Sequence, residues 1–185
     1  KLGDSPVTLG YDVSLFTGPA VSKGWEPTYV SSQIVAPVSP LWIDRGRVGL
    51  GRSIDPAAAA ATAFAAQLRA AGVNVTGEPV QAEAAESAKV VAAVQSAPVS
   101  NILDRMLVTS DNEVAEVMLR QAAIGAGQPG SFDSGVTTVK TALKSADVST
   151  AGLELHDGSG LSRKNRIDPR TLAEAFEQAA NSADT

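Results

Sequence analysis

Hydrophobic residues recur at helical spacing on both sides of a short polar break in the second half of the chain. The apolar positions before the break are Ile102, Leu103, Met106 and Leu107, and those after it are Val114, Val117, Met118 and Ala122. Ser100 belongs to the residue types that cap helix N-termini, and Gly125 interrupts the second run. The pattern therefore predicts two helices that meet at Ser110-Asp111-Asn112.

Three further helices are predicted from capping residues and apolar spacing. Their first residues are Asp55-Pro56, Ser134-Gly135 and Asp168-Pro169. Aspartate caps a helix, and proline suits its first position because the N–H there has no partner to lose. The first of these helices is expected to reach Ala71 and to stop at Gly72. The predicted inward faces are Ala60, Phe64, Leu68 and Ala71, then Val136, Val139, Leu143 and Ala146, then Leu172, Ala175, Phe176 and Ala179.

Short alternating or β-branched runs predict strands at residues 7–16, 41–48, 73–76, 89–95 and 153–156. Helices and strands mixed along one chain indicate an α/β (α+β) protein. The polar, small-residue stretch at 78–88 separates two regions, and we place a domain boundary within it. The predicted division is residues 1–86 and residues 87–185.

Composition narrows the classes of function. The 185 residues are 44% hydrophobic but only 4% aromatic, so the core is expected to consist of small aliphatic side chains. A net charge of −5 and the absence of a long basic run argue against nucleic-acid binding. With no cysteine and one histidine, thiol catalysis and a metal site are disfavoured, and no cofactor is expected. No apolar run reaches the ~18 residues that a membrane span needs.

The polar break carries groups suited to chemistry. A serine hydroxyl and an asparagine carboxamide two residues apart can relay a proton and hydrogen-bond an amide substrate. The same residue types are also ordinary caps and turn formers, so a plain helix start explains the tripeptide equally well.

A second stretch, His156-Asp157-Gly158-Ser159-Gly160-Leu161-Ser162-Arg163, adds to the first. Together, S-D-N followed by A-E and a later D-G-S-G-L-S-R resemble peptidase family S13, the D-Ala-D-Ala carboxypeptidases/endopeptidases of the penicillin-binding protein 4 type. The resemblance extends from about Ser14 to Arg170. It implies part of the penicillin-recognising serine transpeptidase/β-lactamase-like fold, preceded over residues 1–86 by the end of an inserted α/β domain.

The resemblance implies roles for individual residues. Ser110 would relay a proton to the leaving amine, and Asn112 would hydrogen-bond the substrate and a lysine. Asp111 would brace the loop. Four residues are expected to support the site without taking part in the chemistry: Glu116, Asp157, Ser159 and Ser162. A solvated helix face explains Glu116 equally well, and an ordinary Asx-turn explains the D-G-S-G stretch.

Two alternatives concern the nucleophile. A Ser-His-Asp hydrolase built on Ser110, His156 and Asp157 lacks a G-x-S-x-G elbow in this sequence. The family's own S-x-x-K and K-T-G motifs are also absent, and we expect them upstream and downstream of these residues in a longer protein. The chain by itself is then expected to be inactive.

The implied function is serine-type hydrolysis of D-Ala-D-Ala or cross-link peptide bonds in peptidoglycan, outside the cytoplasmic membrane. The expected partners are peptidoglycan stem peptides and β-lactam antibiotics. The alternative is a non-catalytic envelope module or pseudoenzyme that binds peptidoglycan or a protein partner. S-x-x-K and K-T-G motifs in the parent gene would distinguish the two.

Overall fold

The structure is a computed structural model that describes residues 5–181. Its helices are α1 (Pro56–Ala70), α2 (Val99–Thr109), α3 (Asn112–Gly125), α4 (Phe132–Ser145) and α5 (Pro169–Asn181), with a short 3-10 helix at Asp44–Gly46. Its strands are β1 (Gly10–Tyr11), β2 (Arg47–Val48), β3 (Gly51–Arg52) and β4 (Val80–Gln81). Within residues 5–181, no helix is both long enough and apolar enough to cross a membrane.

The strands form two small ladders. β1 pairs with β4 in parallel, with Gly10 opposite Val80, and β2 pairs with β3 as an antiparallel hairpin. Three isolated bridges lie outside these ladders: Val7 with Val75, Phe16 with Gly130, and Glu154 with Arg166.

The predicted strands were therefore too long or wrong. Of residues 7–16 only β1 is a strand, and of residues 41–48 only β2, after the 3-10 helix. Residues 73–76 and 153–156 contribute one bridge each. Residues 89–95 form no strand in the described chain, and Val94 is 97% exposed. An alternating pattern becomes a strand only where a neighbouring segment supplies backbone hydrogen bonds, and the pattern does not report that neighbour.

Helix boundaries were predicted better, because capping is local. Asp55 accepts a hydrogen bond from the Ala58 N–H at 3.0 Å, and Asp168 accepts one from the Arg170 N–H at 2.7 Å. Both Asp-Pro helix starts are thus confirmed. Two other starts were misplaced. α4 is capped by Ser131 rather than begun at Ser134, and α2 begins after Pro98, so that Ser100 lies inside the helix.

The core forms where the segment before β2 packs on α3 and α4. Its buried members are Phe16, Trp25, Val35, Val38, Leu119 and Phe132. Trp25 and Phe132 meet edge to face with ring centroids 5.9 Å apart. At Gly135 a Cβ atom would stand 2.6 Å from Leu119 Cγ, which shows how closely α3 and α4 approach. Core residues come from both sides of position 86, and the division into two domains stays a prediction.

Several predicted inward faces are in fact exposed. Phe64 of α1 is 56% exposed and Phe176 of α5 is 74% exposed. α1 instead buries a stripe of small residues that lies to one side of the predicted face: Pro56, Ala57, Ala60, Ala61 and Ala65. Helical spacing identifies an apolar stripe, but the neighbours present decide which stripe is covered.

Candidate functional site

The polar break is a sharp turn between α2 and α3. Ser110 ends α2 in the left-handed conformation, with φ 51° and ψ 48°, a region that residues other than glycine seldom adopt. The Asp111 N–H donates to the Met106 carbonyl at 3.0 Å and closes the turn. Ser110 is exposed and Asn112, the first residue of α3, is half-buried. The helix–break–helix prediction is confirmed.

Asp111 is buried and bonded on both carboxylate oxygens. Oδ1 accepts from the Val114 N–H at 3.1 Å, which caps α3, and Oδ2 accepts from Arg45 Nη1 at 3.0 Å. Asp44 and Arg45 both have positive φ, of 47° and 59°, in the 3-10 helix beside the break. Two consecutive left-handed residues are costly, so the surroundings must hold this conformation.

A cavity of about 460 Å³ adjoins the break on the α2 side. Its charged lining consists of three arginines, Arg45, Arg47 and Arg105, and two aspartates, Asp44 and Asp111. Met106 and Val114 supply part of its apolar wall. The cavity therefore combines charged groups of both signs with an apolar surface, directly beside the break.

Glu116 lies four residues after Asn112 and is fully buried. Its Oε2 accepts from the Gly158 N–H at 2.9 Å, and its Oε1 accepts from the Ser159 N–H at 3.0 Å and the Ser159 hydroxyl at 2.5 Å. Burial raises the pKa of Glu116 to about 7, against the lowering effect of these three donors, and nearby Asp157 adds a smaller increase. The interpretation of Glu116 as a solvated helix face is wrong, because its partners come from a segment 42 and 43 residues further along the chain.

Asp157 organises the turn that Glu116 binds. Its carboxylate accepts from the Trp25 Nε1–H at 3.0 Å, from the Asn165 side-chain amide at 2.7 Å, and from the N–H groups of Gly160 and Ser162 at 3.1 and 2.5 Å. Four donors on one buried carboxylate satisfy it without an ion pair. Residues 157–162, which we call the 157–162 turn, are thus fixed internally by Asp157.

Two glycines allow the 157–162 turn to pack closely on its surroundings. A Cβ atom at Gly158 would stand 2.6 Å from the Ala115 carbonyl oxygen and 2.9 Å from Leu119 Cβ. A Cβ atom at Gly24 would stand 2.5 Å from Ser162 Oγ. The turn therefore contacts the α3 backbone directly, a contact that an ordinary surface loop would not make.

The seven residues selected from the sequence fall into three groups. Glu116, Asp157 and Ser162 are buried and form one cluster with the half-buried Ser159. Asp111 pairs separately with Arg45, and Ser110 and Asn112 lie at the junction of α2 and α3. The hydrogen bonds among residues 5–181 include none from the Ser110 or Asn112 side chains.

The Ser-His-Asp alternative has no support in the geometry. His156 is exposed, and in the described residues it bonds only through its backbone, to Asn165 and to the Ser22 hydroxyl. Both oxygens of Asp157 are occupied by the donors named above. No charge-relay arrangement is formed.

Sequence reasoning missed three residues that support the site: Trp25, Asn165 and Arg120. The first two bind Asp157. Arg120 is buried beside two aromatic rings, its guanidinium carbon 4.2 Å from the Phe132 centroid and 5.3 Å from that of Phe16. Burial lowers the pKa of Arg120, and the charge of Glu116 raises it. Arg120 stands four residues after Glu116, and that spacing was the one available signal.

Solved structures share the fold of this chain. The chain resembles penicillin binding protein 4 (dacB) from Haemophilus influenzae with a TM-score of 0.76 at 21% identity, over 96% of this chain and 54% of that one. The same protein in complex with a novel β-lactam matches with a TM-score of 0.64 at 23% identity, over 93% and 46%. These likenesses confirm the predicted α/β penicillin-recognising fold.

Sequence comparison identifies the family. The model of the D-Ala-D-Ala carboxypeptidase 3 (S13) family matches residues 50–185. Carboxypeptidase Rv3627c of Mycobacterium tuberculosis is 36% identical over 185 residues, which cover 97% of this chain and 39% of that protein. The chain belongs to the D-Ala-D-Ala carboxypeptidase 3 (S13) family, as the two motifs predicted. It spans well under half the length of this relative.

Proposed function

We propose that this chain is part of a serine-type D-Ala-D-Ala carboxypeptidase/endopeptidase that cleaves peptidoglycan stem peptides through an acyl-enzyme and is acylated by β-lactams. The observation that carries the proposal is the S-D-N break within a chain of the S13 family. Acyl transfer to serine needs a nucleophile, a base, a proton path to the leaving nitrogen and donors for the substrate. This chain offers the last two.

Ser110 is the proposed proton relay. Its left-handed backbone turns the residue out of the α2 spiral, and its hydroxyl is exposed rather than used as a cap. Asp111, not Ser110, caps α3. The plain helix-cap explanation therefore applies to Asp111 and leaves the Ser110 hydroxyl available to a substrate.

Asn112 is the proposed substrate ligand. Its carboxamide can donate to a peptide carbonyl and accept from an N–H or from a lysine ammonium. Asp111 braces the break through the Val114 N–H and Arg45, and this fixes the backbone that carries Ser110 and Asn112. The cavity next to them is lined by three arginines and two aspartates, and this excess of one positive charge would favour a negatively charged substrate group.

The remaining catalytic groups are proposed to come from the rest of a longer enzyme. The nucleophilic serine with its lysine, and the strand that binds the substrate carboxylate, have no matching motif in these 185 residues. We place the enzyme outside the cytoplasmic membrane, where peptidoglycan lies.

The test is acylation by benzylpenicillin, followed by intact-mass measurement. The full-length enzyme should gain one penicilloyl group and should release D-alanine from a D-Ala-D-Ala peptide, whereas residues 1–185 alone should gain none. An adduct on residues 1–185 would contradict the division of the site. A full-length protein that binds peptidoglycan but is neither acylated nor hydrolytic would instead support the non-catalytic envelope module.

A further inference from the structure

Glu116 is the most deeply buried polar side chain of the candidate site. It is one of the largest fully buried side chains, with Arg120, and its carboxylate accepts three hydrogen bonds from two consecutive residues of the 157–162 turn. Burying a carboxylate is costly unless donors replace the lost water. Replacing Glu116 by an apolar residue would leave two N–H groups and one hydroxyl of the turn without their acceptor, so the contact between the turn and α3 depends on this side chain.

The 157–162 turn is held against α3 by close packing as well as by hydrogen bonds. The N–H groups of Gly158 and Ser159 point at α3, and Gly158 lies so close to the Ala115 carbonyl that no side chain fits there. Asp157 holds the remainder of the turn through four donors of its own. Within the described residues, every hydrogen bond between the turn and α3 ends on the Glu116 carboxylate.

The hydrogen bonds to Glu116 lie one helical turn from Asn112, which is proposed to bind the substrate. Glu116 follows Asn112 by four positions on the same helix, so both lie on one face of α3. On the other side of the break, α2 buries none of its residues within the described chain. The start of α3 is thus located by Arg45 through Asp111, by Arg52 through Glu113, and by the 157–162 turn through Glu116.

We propose that Glu116 is a positioning residue: its ionised carboxylate fixes the 157–162 turn against α3 and thereby sets the position of Ser110 and Asn112 for acylation. The inference rests on the proposed function. The ionised form is required because two N–H groups and a hydroxyl point at the carboxylate, and a carboxylic acid presents one of them with a poor acceptor.

The ionisation of Glu116 depends on the charged groups around it, so the proposal predicts how acylation depends on pH. Arg120, on the same helix, favours the ionised form, and Asp157, in the facing turn, disfavours it. With a pKa of about 7, Glu116 is mostly protonated at pH 6 and mostly ionised at pH 8. Acylation should therefore rise over this interval. Folding stability should change in the opposite direction, because the ionised carboxylate is the form that burial penalises.

The experiment compares E116Q with a control, E174Q, in the full-length enzyme. Glu174 of α5 also accepts a backbone N–H from a distant segment, that of Ser149 at 2.7 Å, and its bonded partners lie outside α2, α3 and the 157–162 turn. At pH 8, E116Q should be acylated by benzylpenicillin about tenfold more slowly, the loss expected for one or two hydrogen bonds, and should lack the rise near pH 7. E174Q should keep both the rate and the rise.

Hydrogen exchange provides the second readout, well below the melting temperature of each variant. In E116Q the amides of residues 157–162 and of residues 110–114 should both exchange faster, while E174Q should leave both segments unchanged. An E116Q enzyme with the wild-type rate and pH profile would overturn the inference, as would faster exchange confined to residues 157–162. A wild-type enzyme that penicillin does not acylate would overturn the proposed function itself, and the inference with it.

Discussion

The two helices that flank the polar break differ in how they are held. α3 buries Glu113, Glu116, Leu119, Arg120 and Ala123, and each of the three charged side chains has identified partners. α2 has an apolar stripe of similar spacing, yet within the described residues it buries nothing, and Leu107 is 73% exposed. The break is thus anchored from the α3 side. Hydrogen bonds and ion pairs with distant partners, and not apolar spacing, distinguish the fixed helix from the loosely packed one.

The largest effect is expected where the two helices meet. In the full-length enzyme, Ser110→Ala should slow acylation by penicillin and by a D-Ala-D-Ala peptide by about 10²–10⁴-fold, because the proton path to the leaving nitrogen is interrupted while α3 keeps its own anchors. Stopped-flow acylation measures the rate, and a thermal melt checks the fold. Acylation at the wild-type rate would leave Ser110 as a turn residue only.

The next largest effect concerns the pH dependence of folding stability, which depends on the buried carboxylate of Glu116 on α3. Because the folded pKa of Glu116 is near 7 and its ordinary value is 4.5, the folded state holds a proton that the unfolded chain has lost between these pH values. Stability should therefore decrease as pH rises from about 4.5 to 7, by about 3 kcal/mol, and then level off. Urea unfolding from pH 4.5 to 8 measures this, with E116Q as the control in which this contribution disappears. An identical pH dependence in E116Q would show that other groups cause it.

Substitutions beside α3 and on α2 should differ in how much they lower the free energy of unfolding. Gly158→Ala would place a methyl group against the Ala115 carbonyl, so we expect a loss of about 1–3 kcal/mol. Leu107→Ala on the exposed face of α2 should stay within about 0.5 kcal/mol. Denaturant melts of both variants provide the comparison. A larger loss for Leu107→Ala would mean that α2 is packed against a partner in solution.

The smallest effects belong to the helix caps. Asp55→Ala and Asp168→Ala should each cost about 1 kcal/mol, since each removes a side-chain acceptor from a first-turn N–H. Equal denaturation midpoints for wild type and either variant would show that the cap at that helix contributes nothing to stability.

Local chemistry made part of this protein predictable. The Asp-Pro starts, the left-handed stop at Gly72 and the turn at residues 110–112 each depend on groups within four residues of one another, which the sequence displays directly. The two motifs likewise indicated the S13 family, because each is a short run of adjacent residues that needs no tertiary contact to be recognised.

Strands and buried faces were less predictable, because their partners are distant along the chain. Within residues 5–181, the segment 89–95 has no strand partner, and Phe64 and Phe176 remain largely exposed. Propensity and periodicity describe what a segment can do, and the tertiary contact decides whether it does so.

The candidate site divides in the same way. Residue types and spacing alone singled out Ser110 and Asn112, because a hydroxyl and a carboxamide at a helix break are visible in sequence. Glu116 was ambiguous there, since a glutamate four residues into a helix is ordinarily solvated. Only the fold brings Gly158 and Ser159 to it across more than forty residues, and that burial, together with three donors, turns a surface-like residue into the anchor of α3.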